Sequence, residues 1–158
     1  MKKEQTIDYN IKAAWHAIMR MYNQYGGDFD ITASTGFVLL NIDSEEGTPA
    51  TKIAPALGME SRSLTRMLKS LEEKGWIYRE PDPDDGRSIR IFLTDLGKEK
   101  RDLSRRAVKE FNHQVRENVS DDELDVFFKV LSQISKTIDS NIIFQKLEEQ
   151  LASEVTTQ

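Results

Sequence analysis

The chain has 158 residues, 38% apolar and 31% charged, which is typical of one globular domain that builds its own core. Cysteine is absent, so disulfides, thiolate metal sites and a cysteine redox switch are excluded. His16 and His113 are too few for a zinc site without carboxylate help, and no apolar run reaches the roughly 18 residues of a membrane span. We therefore expect a cytoplasmic protein with no metal, no cofactor and no membrane contact.

The net charge of −5 is divided unevenly along the chain. Residues 48–106 carry 13 Lys and Arg against 10 Asp and Glu, whereas the remainder carries 9 against 17. Because phosphate attraction is screened within about 8 Å at physiological salt, the charge of a segment matters more than the total. The acidic total is therefore compatible with a DNA-contacting surface in the middle of the chain.

Two amphipathic helices are predicted before residue 48. Apolar residues recur at three- and four-residue steps from Ile7 to Tyr25, and Gly26-Gly27 interrupts that pattern. Thr32 is the predicted N-cap of the second helix, which we expect to end at Glu45-Glu46-Gly47. Its core side carries Phe37, Leu39, Leu40 and Ile42.

A short third helix is predicted next. Thr48 is its expected cap, with Pro49 at the first helical position, where the missing N–H costs nothing. Pro55 would remove a hydrogen bond inside this helix at a cost of roughly 3 kcal/mol, so we expect the helix to be short or bent.

The stretch from Met59 to Thr94 predicts a two-faced helix followed by a charged hairpin. One side of the helix carries Leu64, Met67, Leu68 and Leu71, and the other carries Arg62, Thr65, Arg66 and Lys69. Two short strands, Trp76 to Glu80 and Ile89 to Leu93, flank a turn-rich tip at residues 81–88. Helix-turn-helix followed by such a hairpin is a winged-helix arrangement, which reads duplex DNA.

The last third of the chain is predicted to be helical. Thr94 caps a fifth helix from Asp95 to about Asn118, and the capping box at residues 120–123 starts a sixth helix whose apolar stripe continues to Leu151. These helices carry more apolar surface than a small winged helix needs, so we expect them to be buried against a second copy. The alternative is an intramolecular bundle.

This pattern resembles the MarR family of bacterial and archaeal transcription regulators over nearly the whole chain. The matching residues are Arg62, Leu64, Thr65, Leu68, Leu71, Gly75, Ile77, Arg79, Asp85, Gly86, Arg87, Ile91, Leu93, Thr94 and Gly97. The resemblance implies a mainly α fold with a small β-wing, forming an obligate, triangular homodimer. It places a winged helix-turn-helix lobe at about residues 30–100 and a helical dimerisation region at about 1–27 and 100–152.

Two groups of residues are candidates for DNA contact. Arginine pairs with guanine in a bidentate manner in the major groove, and hydroxyls at a helix N-terminus suit phosphate. The helix candidates are Ser61, Arg62, Ser63, Thr65, Arg66 and Lys69. A solvated helix face is the alternative interpretation.

The wing candidates are Asp85, Arg87 and Arg90. We expect Arg87 to enter a narrow minor groove and Asp85 to pair with an arginine that holds the tip in shape, as the family resemblance also implies. The sequence leaves open whether Arg79 and Arg90 partner the acidic tip residues or contact the DNA backbone.

The resemblance also implies a site for a small aromatic or amphipathic effector near the first two helices. The candidates are Trp15, His16, Met19, Arg20, Tyr22 and Phe37. His16 and Arg20 are four residues apart and could hold an anion together. An aromatic stripe of this kind is also typical of plain core.

An enzyme is not expected, because the sequence has no glycine-rich phosphate loop, no nucleophile elbow and no plausible catalytic triad. The favoured function is a sequence-specific DNA-binding homodimer that represses from a pseudo-palindromic operator and releases it when a ligand binds. The alternatives are a winged helix used for protein contact, or an activator or ligand-blind regulator of the same family.

Overall fold

The computed structural model describes the backbone of residues 2–156 and the side chains of residues 2–152. The chain divides after Glu110 into two compact units. The helices are α1 (Ile7–Gly27), α2 (Ala33–Leu40), α3 (Ala50–Ala56), α4 (Ser61–Glu73), α5 (Asp95–Asn118), α6 (Asp121–Asp139) and α7 (Ile142–Thr156), preceded by a 3-10 turn at Lys3–Gln5. The strands are β1 (Thr48–Pro49), β2 (Ile77–Pro81) and β3 (Ile89–Leu93).

The first unit contains a small antiparallel sheet in the order β1-β3-β2. β2 and β3 form the predicted hairpin, in which Tyr78 lies opposite Phe92 and Glu80 lies opposite Arg90. The core of this unit lies where the sheet and α2, α3 and α4 bury their apolar side chains. Its members are Ile31, Val38, Leu39, Ile42, Ile53, Ala54, Leu64, Leu68, Leu71, Trp76, Ile77, Ile91 and Leu93.

Three predicted helix caps are confirmed. The Thr32 hydroxyl accepts the N–H of Thr35 at 3.2 Å, and the Thr94 hydroxyl accepts the N–H of Gly97 at 3.0 Å. Ser120 and Glu123 form the predicted capping box at the start of α6, in the second unit. Each cap satisfies backbone donors that a helix N-terminus otherwise leaves without partners.

The segment between α2 and α3 differs from the prediction. α2 ends at Leu40, and Asp43 then forms a turn in which its Oδ1 accepts the N–H groups of Glu45 and Glu46, both at 2.8 Å. Thr48 does not cap α3, because it lies in β1 and its hydroxyl accepts the N–H of Asp43 at 2.9 Å. Pro49 is therefore the N-cap residue of α3 rather than its first helical residue.

Two further expectations concern helix lengths. α3 has seven residues and contains Pro55, so the expected short third helix is confirmed. The predicted sixth helix is wrong as one continuous element, since it ends at Asp139 and a new helix begins at Ile142. Asn141 between them has φ of 57°, a left-handed backbone that cannot continue a right-handed helix. None of the helices within residues 2–156 is long and apolar enough to cross a membrane.

A close approach of backbones fixes the start of α5 against the sheet. Gly97 is buried in the first turn of α5, and a Cβ atom at this position would collide with the carbonyl oxygen of Trp76. The N–H of Thr94 donates to that same carbonyl at 3.0 Å, so the carbonyl is not free to move aside. A side chain at position 97 therefore requires the helix to shift.

We expect Gly97→Ala to lower the free energy of unfolding by about 1–3 kcal/mol, the usual cost of overpacking a core. Gly27→Ala is the matched control, because Gly27 is also helical and a Cβ there would meet no atom within 4 Å. The control should stay within about 1 kcal/mol of the unsubstituted protein or gain stability, since alanine is the better helix former. Urea denaturation measures both variants, and equal stabilities would contradict the close approach.

Candidate nucleic-acid interface

The proposed reading face on α4 is exposed throughout. Ser61, Arg62, Ser63, Thr65, Arg66 and Lys69 are all exposed. Leu64, Leu68 and Leu71 on the opposite side are buried, with Leu71 fully inaccessible. The helix thus has the two faces that the sequence predicted, and all six helix candidates lie at the surface.

The arginines of this face have no internal partner. Within the described residues, neither Arg62 nor Arg66 makes an ion pair or a side-chain hydrogen bond. Lys69 lies 3.9 Å from Glu73, but both side chains are largely exposed, and such surface pairs contribute little. All three cations are therefore available to an anionic partner.

The start of α4 provides hydrogen-bond donors near these cations. Glu60 occupies the N-cap position without a side-chain cap, so the first N–H groups of the helix lack a side-chain acceptor. Ser61 and Ser63 place exposed hydroxyls in this first turn, while Thr65 donates its own hydroxyl to the Ser61 carbonyl at 2.8 Å. A helix N-terminus of this kind favours a phosphate group.

Asp82 organises the wing tip. Its Oδ1 accepts the N–H of Asp84 at 2.9 Å, and its own N–H donates to the Ser88 carbonyl at 2.9 Å. Its Oδ2 accepts from Nε and Nη2 of Arg90 at 3.1 and 3.0 Å, and Asp82 is buried in the folded chain. These bonds hold the two ends of the tip together and leave Arg87 exposed at its end.

Within residues 2–152, Asp85 does not form the expected pair with an arginine. Asp85 Oδ1 instead accepts the backbone N–H of Arg87 at 3.1 Å. The arginine that pairs with an aspartate of the tip is Arg90, and its partner is Asp82. The reason is position, because Asp82 directly follows β2 and so lies beside Arg90 of β3, whereas Asp85 lies further out in the turn. The sequence signal for the role of Asp82 was its position two residues before Asp84, because an aspartate side chain often accepts the backbone N–H two residues further on.

Arg79 and Arg90 both have acidic partners within the chain, but only the partner of Arg90 belongs to the wing tip. Arg90 has a side chain only 17% exposed, and besides Asp82 it reaches the Glu46 carbonyl with Nη1 at 3.0 Å. Arg79 pairs through Nε with Glu72 of α4 at 3.0 Å, which ties the recognition helix to β2. Neither guanidinium is as free as those of Arg62 and Arg66.

The effector candidates are only partly brought together. The Phe37 ring stacks on Trp15 at 5.9 Å between centroids and meets the edge of Tyr22 at 5.8 Å. Burial raises the pKa of Tyr22. His16 and Arg20 are exposed, and Met19 is half-buried.

A small cavity adjoins this aromatic cluster. Of the six effector candidates, only Tyr22 and Phe37 line it, together with Tyr25, Gly26, Ile31, Thr32, Ala33, Gly36, Leu40, Ser104, Ala107 and Val108. Its volume of about 20 Å³ suffices for a water molecule, whereas small-molecule sites usually measure about 300–1,000 Å³. A larger effector would have to open it. No group of three or more potential metal ligands occurs among the described residues.

Comparison with known proteins places these features in context. A model of the MarR family matches residues 31–89. The HTH-type transcriptional regulator SarZ of Staphylococcus aureus (strain MRSA252) is 32% identical over 126 residues, which are 78% of this chain and 83% of SarZ.

Two solved structures that contain DNA are also similar. The S. aureus MepR–DNA complex has a TM-score of 0.77 and 25% identity, covering 84% of this chain and 98% of that chain. A mutant of MarR from E. coli complexed with operator DNA has a TM-score of 0.71 and 26% identity, covering 81% of this chain and 92% of that chain. The winged-helix architecture is therefore shared with proteins whose structures hold DNA.

The Asp82 carboxylate should make the stability of the wing depend on pH. The N–H of Asp84 lowers the pKa of Asp82 most, burial opposes this effect, and Arg90 lowers the pKa further. A folded-state pKa below the unfolded value stabilises the fold above the unfolded pKa, and this stabilisation is lost as the pH falls through the folded pKa. We expect Asp82→Asn to be less stable than the unsubstituted protein at pH 7, with a difference that shrinks below about pH 4.

Urea denaturation across a pH series measures this difference. Asp84→Asn is the matched control, because its carboxylate is exposed and forms no ion pair in the described residues. The control should follow the unsubstituted protein at every pH. A stability difference for Asp82→Asn that stays constant with pH would contradict the ionic role of this carboxylate.

Proposed function

The chain belongs to the MarR family of transcription regulators, and we propose that it binds duplex DNA as a homodimer and represses transcription by occupying a promoter. The observation that carries this proposal is the exposed face of α4, where Arg62 and Arg66 have no partner among the residues that the structure describes. The DNA present in the MepR and MarR structures supports the same interpretation. As a regulator of this kind, the protein acts in the cytoplasm and catalyses no reaction.

The proposed division of labour follows from the shapes of the two grooves. The major groove admits one helix, and each good bidentate arginine–guanine pair discriminates by about 1–3 kcal/mol. Arg62 and Arg66 supply base contacts, while Lys69 and the hydroxyls of Ser61, Ser63 and Thr65 face phosphates. Arg87, exposed at the wing tip, enters the adjacent minor groove, where narrow A·T-rich segments attract arginine.

Homodimer formation is supported by apolar side chains that a single chain leaves uncovered. Val126, Phe127, Phe128, Val130 and Ile138 of α6 and Ile142, Ile143, Phe144, Leu147 and Leu151 of α7 are exposed. Exposed apolar surface of this extent is typical of an interaction surface. Two-fold symmetry then requires a pseudo-palindromic operator with half-sites about one helical turn apart.

Release of DNA is proposed to follow effector binding near Phe37. A small aromatic or amphipathic molecule would separate Trp15, Tyr22 and Phe37 and enlarge the cavity beside them. Met19 and the exposed His16 and Arg20 lie on α1, as do Trp15 and Tyr22. His16 and Arg20 would contact an anionic group of the effector. The lobes would then be held at a spacing that no longer suits the operator.

Base reading is tested by substituting the arginines of α4. With an operator selected from a random pool, Arg62→Ala or Arg66→Ala should weaken specific binding about 5- to 150-fold and binding to random duplex much less. Arg106→Ala is the matched control, because Arg106 is an exposed arginine of α5 outside both candidate groups. Equal losses on specific and random DNA in a gel-shift assay would contradict base reading.

The same assay distinguishes the contribution of the wing from that of α4, and a DNA partner from a protein partner. Arg87→Ala should lose most affinity when the flanks of the operator are A·T-rich.

Binding to plain duplex should weaken steeply with salt, because contacts to phosphates release counterions. A log–log slope near zero would favour a winged helix that docks an acidic protein instead.

Dimer formation is tested on α7, where Phe144 and Leu147 are exposed in the single chain. The double substitution Phe144→Glu/Leu147→Glu should yield monomers in light scattering, because it places two charges in a buried apolar interface. Gln145→Glu adds the same type of charge to a polar position of the same helix and should leave a dimer. A monomeric unsubstituted protein, or a double variant that still dimerises, would contradict the proposal.

A further inference from the structure

A second groove in the first unit shares no residue with α4 or the wing tip. It lies between the 41–48 segment and α5, is open to solvent, and has a volume of about 470 Å³, within the usual range of small-molecule sites. The residues that line it are Leu40, Asn41, Ile42, Asp43, Ser44, Glu45, Thr48, Arg101 and Arg105. It is therefore large enough for a ligand without rearrangement, unlike the cavity beside Phe37.

Arg101 is a buried cation whose hydrogen bonds are incomplete. Only 9% of this residue is exposed; its Nη1 donates to the Ser44 hydroxyl, and its Nη2 lies 3.6 Å from Asp102 Oδ1. Its Nε is buried and has no hydrogen-bond partner in the described residues. Because a buried donor without an acceptor is costly, a guanidinium in this state favours an additional acceptor.

Two neighbouring hydroxyl groups are also able to donate. The Ser44 hydroxyl accepts from Arg101, and the Thr48 hydroxyl accepts the N–H of Asp43, so each retains a proton to donate. Arg105 is half exposed and lies 3.6 Å from Asp102, which it shares with Arg101. Two guanidinium groups and two hydroxyls thus line the groove, and together they suit an oxyanion.

Asp43 and Glu45 supply the opposite charge. Asp43 is held in place by the N–H groups of Glu45 and Glu46, which lower the pKa of its carboxyl and keep it ionised. Glu45 adds a second, exposed carboxylate. In the described residues neither carboxylate lies within ion-pair distance of Arg101 or Arg105, although the positive charge of Arg101 also lowers the pKa of Asp43.

We propose that this groove binds a small zwitterion that carries a compact oxyanion, such as a phosphoryl or carboxylate group, beside a protonated amine. The oxyanion accepts from Arg101, Arg105, Ser44 and Thr48, and the amine donates to Asp43 and Glu45. A simple anion would meet the two carboxylates, and a simple amine would meet the two arginines. Only a ligand with a negative and a positive group matches the two arginines and the two carboxylates together.

The groove is connected to the wing by hydrogen bonds. The turn that contains Asp43 and Ser44 continues to Glu46, whose carbonyl accepts Nη1 of Arg90 at 3.0 Å, and Arg90 in turn holds Asp82. A ligand that fixes this turn therefore acts on the residue that shapes the wing tip. This regulatory part rests on the proposed function, whereas ligand binding itself does not.

Binding is tested on the full chain by NMR titration with three probes: phosphoethanolamine, inorganic phosphate and ethylamine. Phosphoethanolamine should shift the backbone amides of Ser44 and Thr48 saturably, with at least about fivefold higher affinity than phosphate, the gain expected of one added charged hydrogen bond. Ethylamine should bind most weakly. No saturable shift, or equal affinity for phosphoethanolamine and phosphate, would overturn the proposal.

Single substitutions test which residues bind the oxyanion and which bind the amine. Arg105→Gln should weaken phosphoethanolamine binding about tenfold, as the loss of a charged hydrogen bond predicts. Arg106→Gln, an exposed neighbour outside the groove, should not change it. Ser44→Ala tests the buried arginine side without removing Arg101, and it should also weaken binding. Glu45→Gln should reduce the preference for phosphoethanolamine over phosphate, and an unchanged preference would contradict the role of the carboxylates.

Coupling to DNA is a separate measurement. Saturating phosphoethanolamine should change the operator affinity of the unsubstituted protein at least about fivefold, the low end of typical coupling, and Arg105→Gln should need about tenfold more phosphoethanolamine for the same change. A saturable titration without this change would overturn the coupling alone. If Arg66→Ala fails to affect operator binding while the titration succeeds, the proposed DNA-reading function fails and the ligand site stands.

Discussion

Burial of three leucines fixes the orientation of α4, and the reading surface depends on that orientation. Leu64, Leu68 and Leu71 are spaced to fall on one side of the helix and are buried in the core. Rotation about the helix axis would expose them at a cost of about 1.5–3 kcal/mol for each side chain. Arg62 and Arg66 are therefore presented to solvent by the packing of the opposite face, not by any contact of their own.

The wing shows how an acidic segment can still present a cation to DNA. Asp82 is buried and paired with Arg90, and Asp85 accepts a backbone N–H, so both carboxylates are used to shape the tip. Arg87 is left exposed and has no ion pair within the described residues. The sequence of the tip is rich in aspartate because a tight turn needs side-chain acceptors, and Arg87 remains as its exposed cation.

Local signals in the sequence predicted most of the fold, and long-range contacts account for the errors. The caps at Thr32, Thr94 and Ser120 are formed within four residues and could be recognised from spacing alone. Thr48 has the composition of a cap, but β1 pairs with residues more than 40 positions away, and that pairing decides its conformation. The single-letter pattern contains no information about such a partner.

The candidate site divides in the same way. The exposed face of α4 follows from helical periodicity, so its members could be predicted from the sequence. The roles of Asp82 and Arg90 depend on the register of the hairpin, and the groove around Arg101 depends on a contact with Ser44, 57 residues earlier in the chain. Charged residues with distant internal partners are the part of a site that sequence periodicity does not identify.

The energetics of base reading explain why one copy of this lobe is not sufficient. Two arginine–guanine pairs discriminate between sequences by about 2–6 kcal/mol, whereas specific DNA binding usually exceeds nonspecific binding by about 4–10 kcal/mol. A second lobe on the same duplex doubles the base contacts and makes its own binding intramolecular once the first lobe is seated. In the proposed function, the apolar side chains exposed on α6 and α7 therefore complement the arginines on α4, because dimerisation would raise the discrimination of a modest reading surface to the level that a promoter requires.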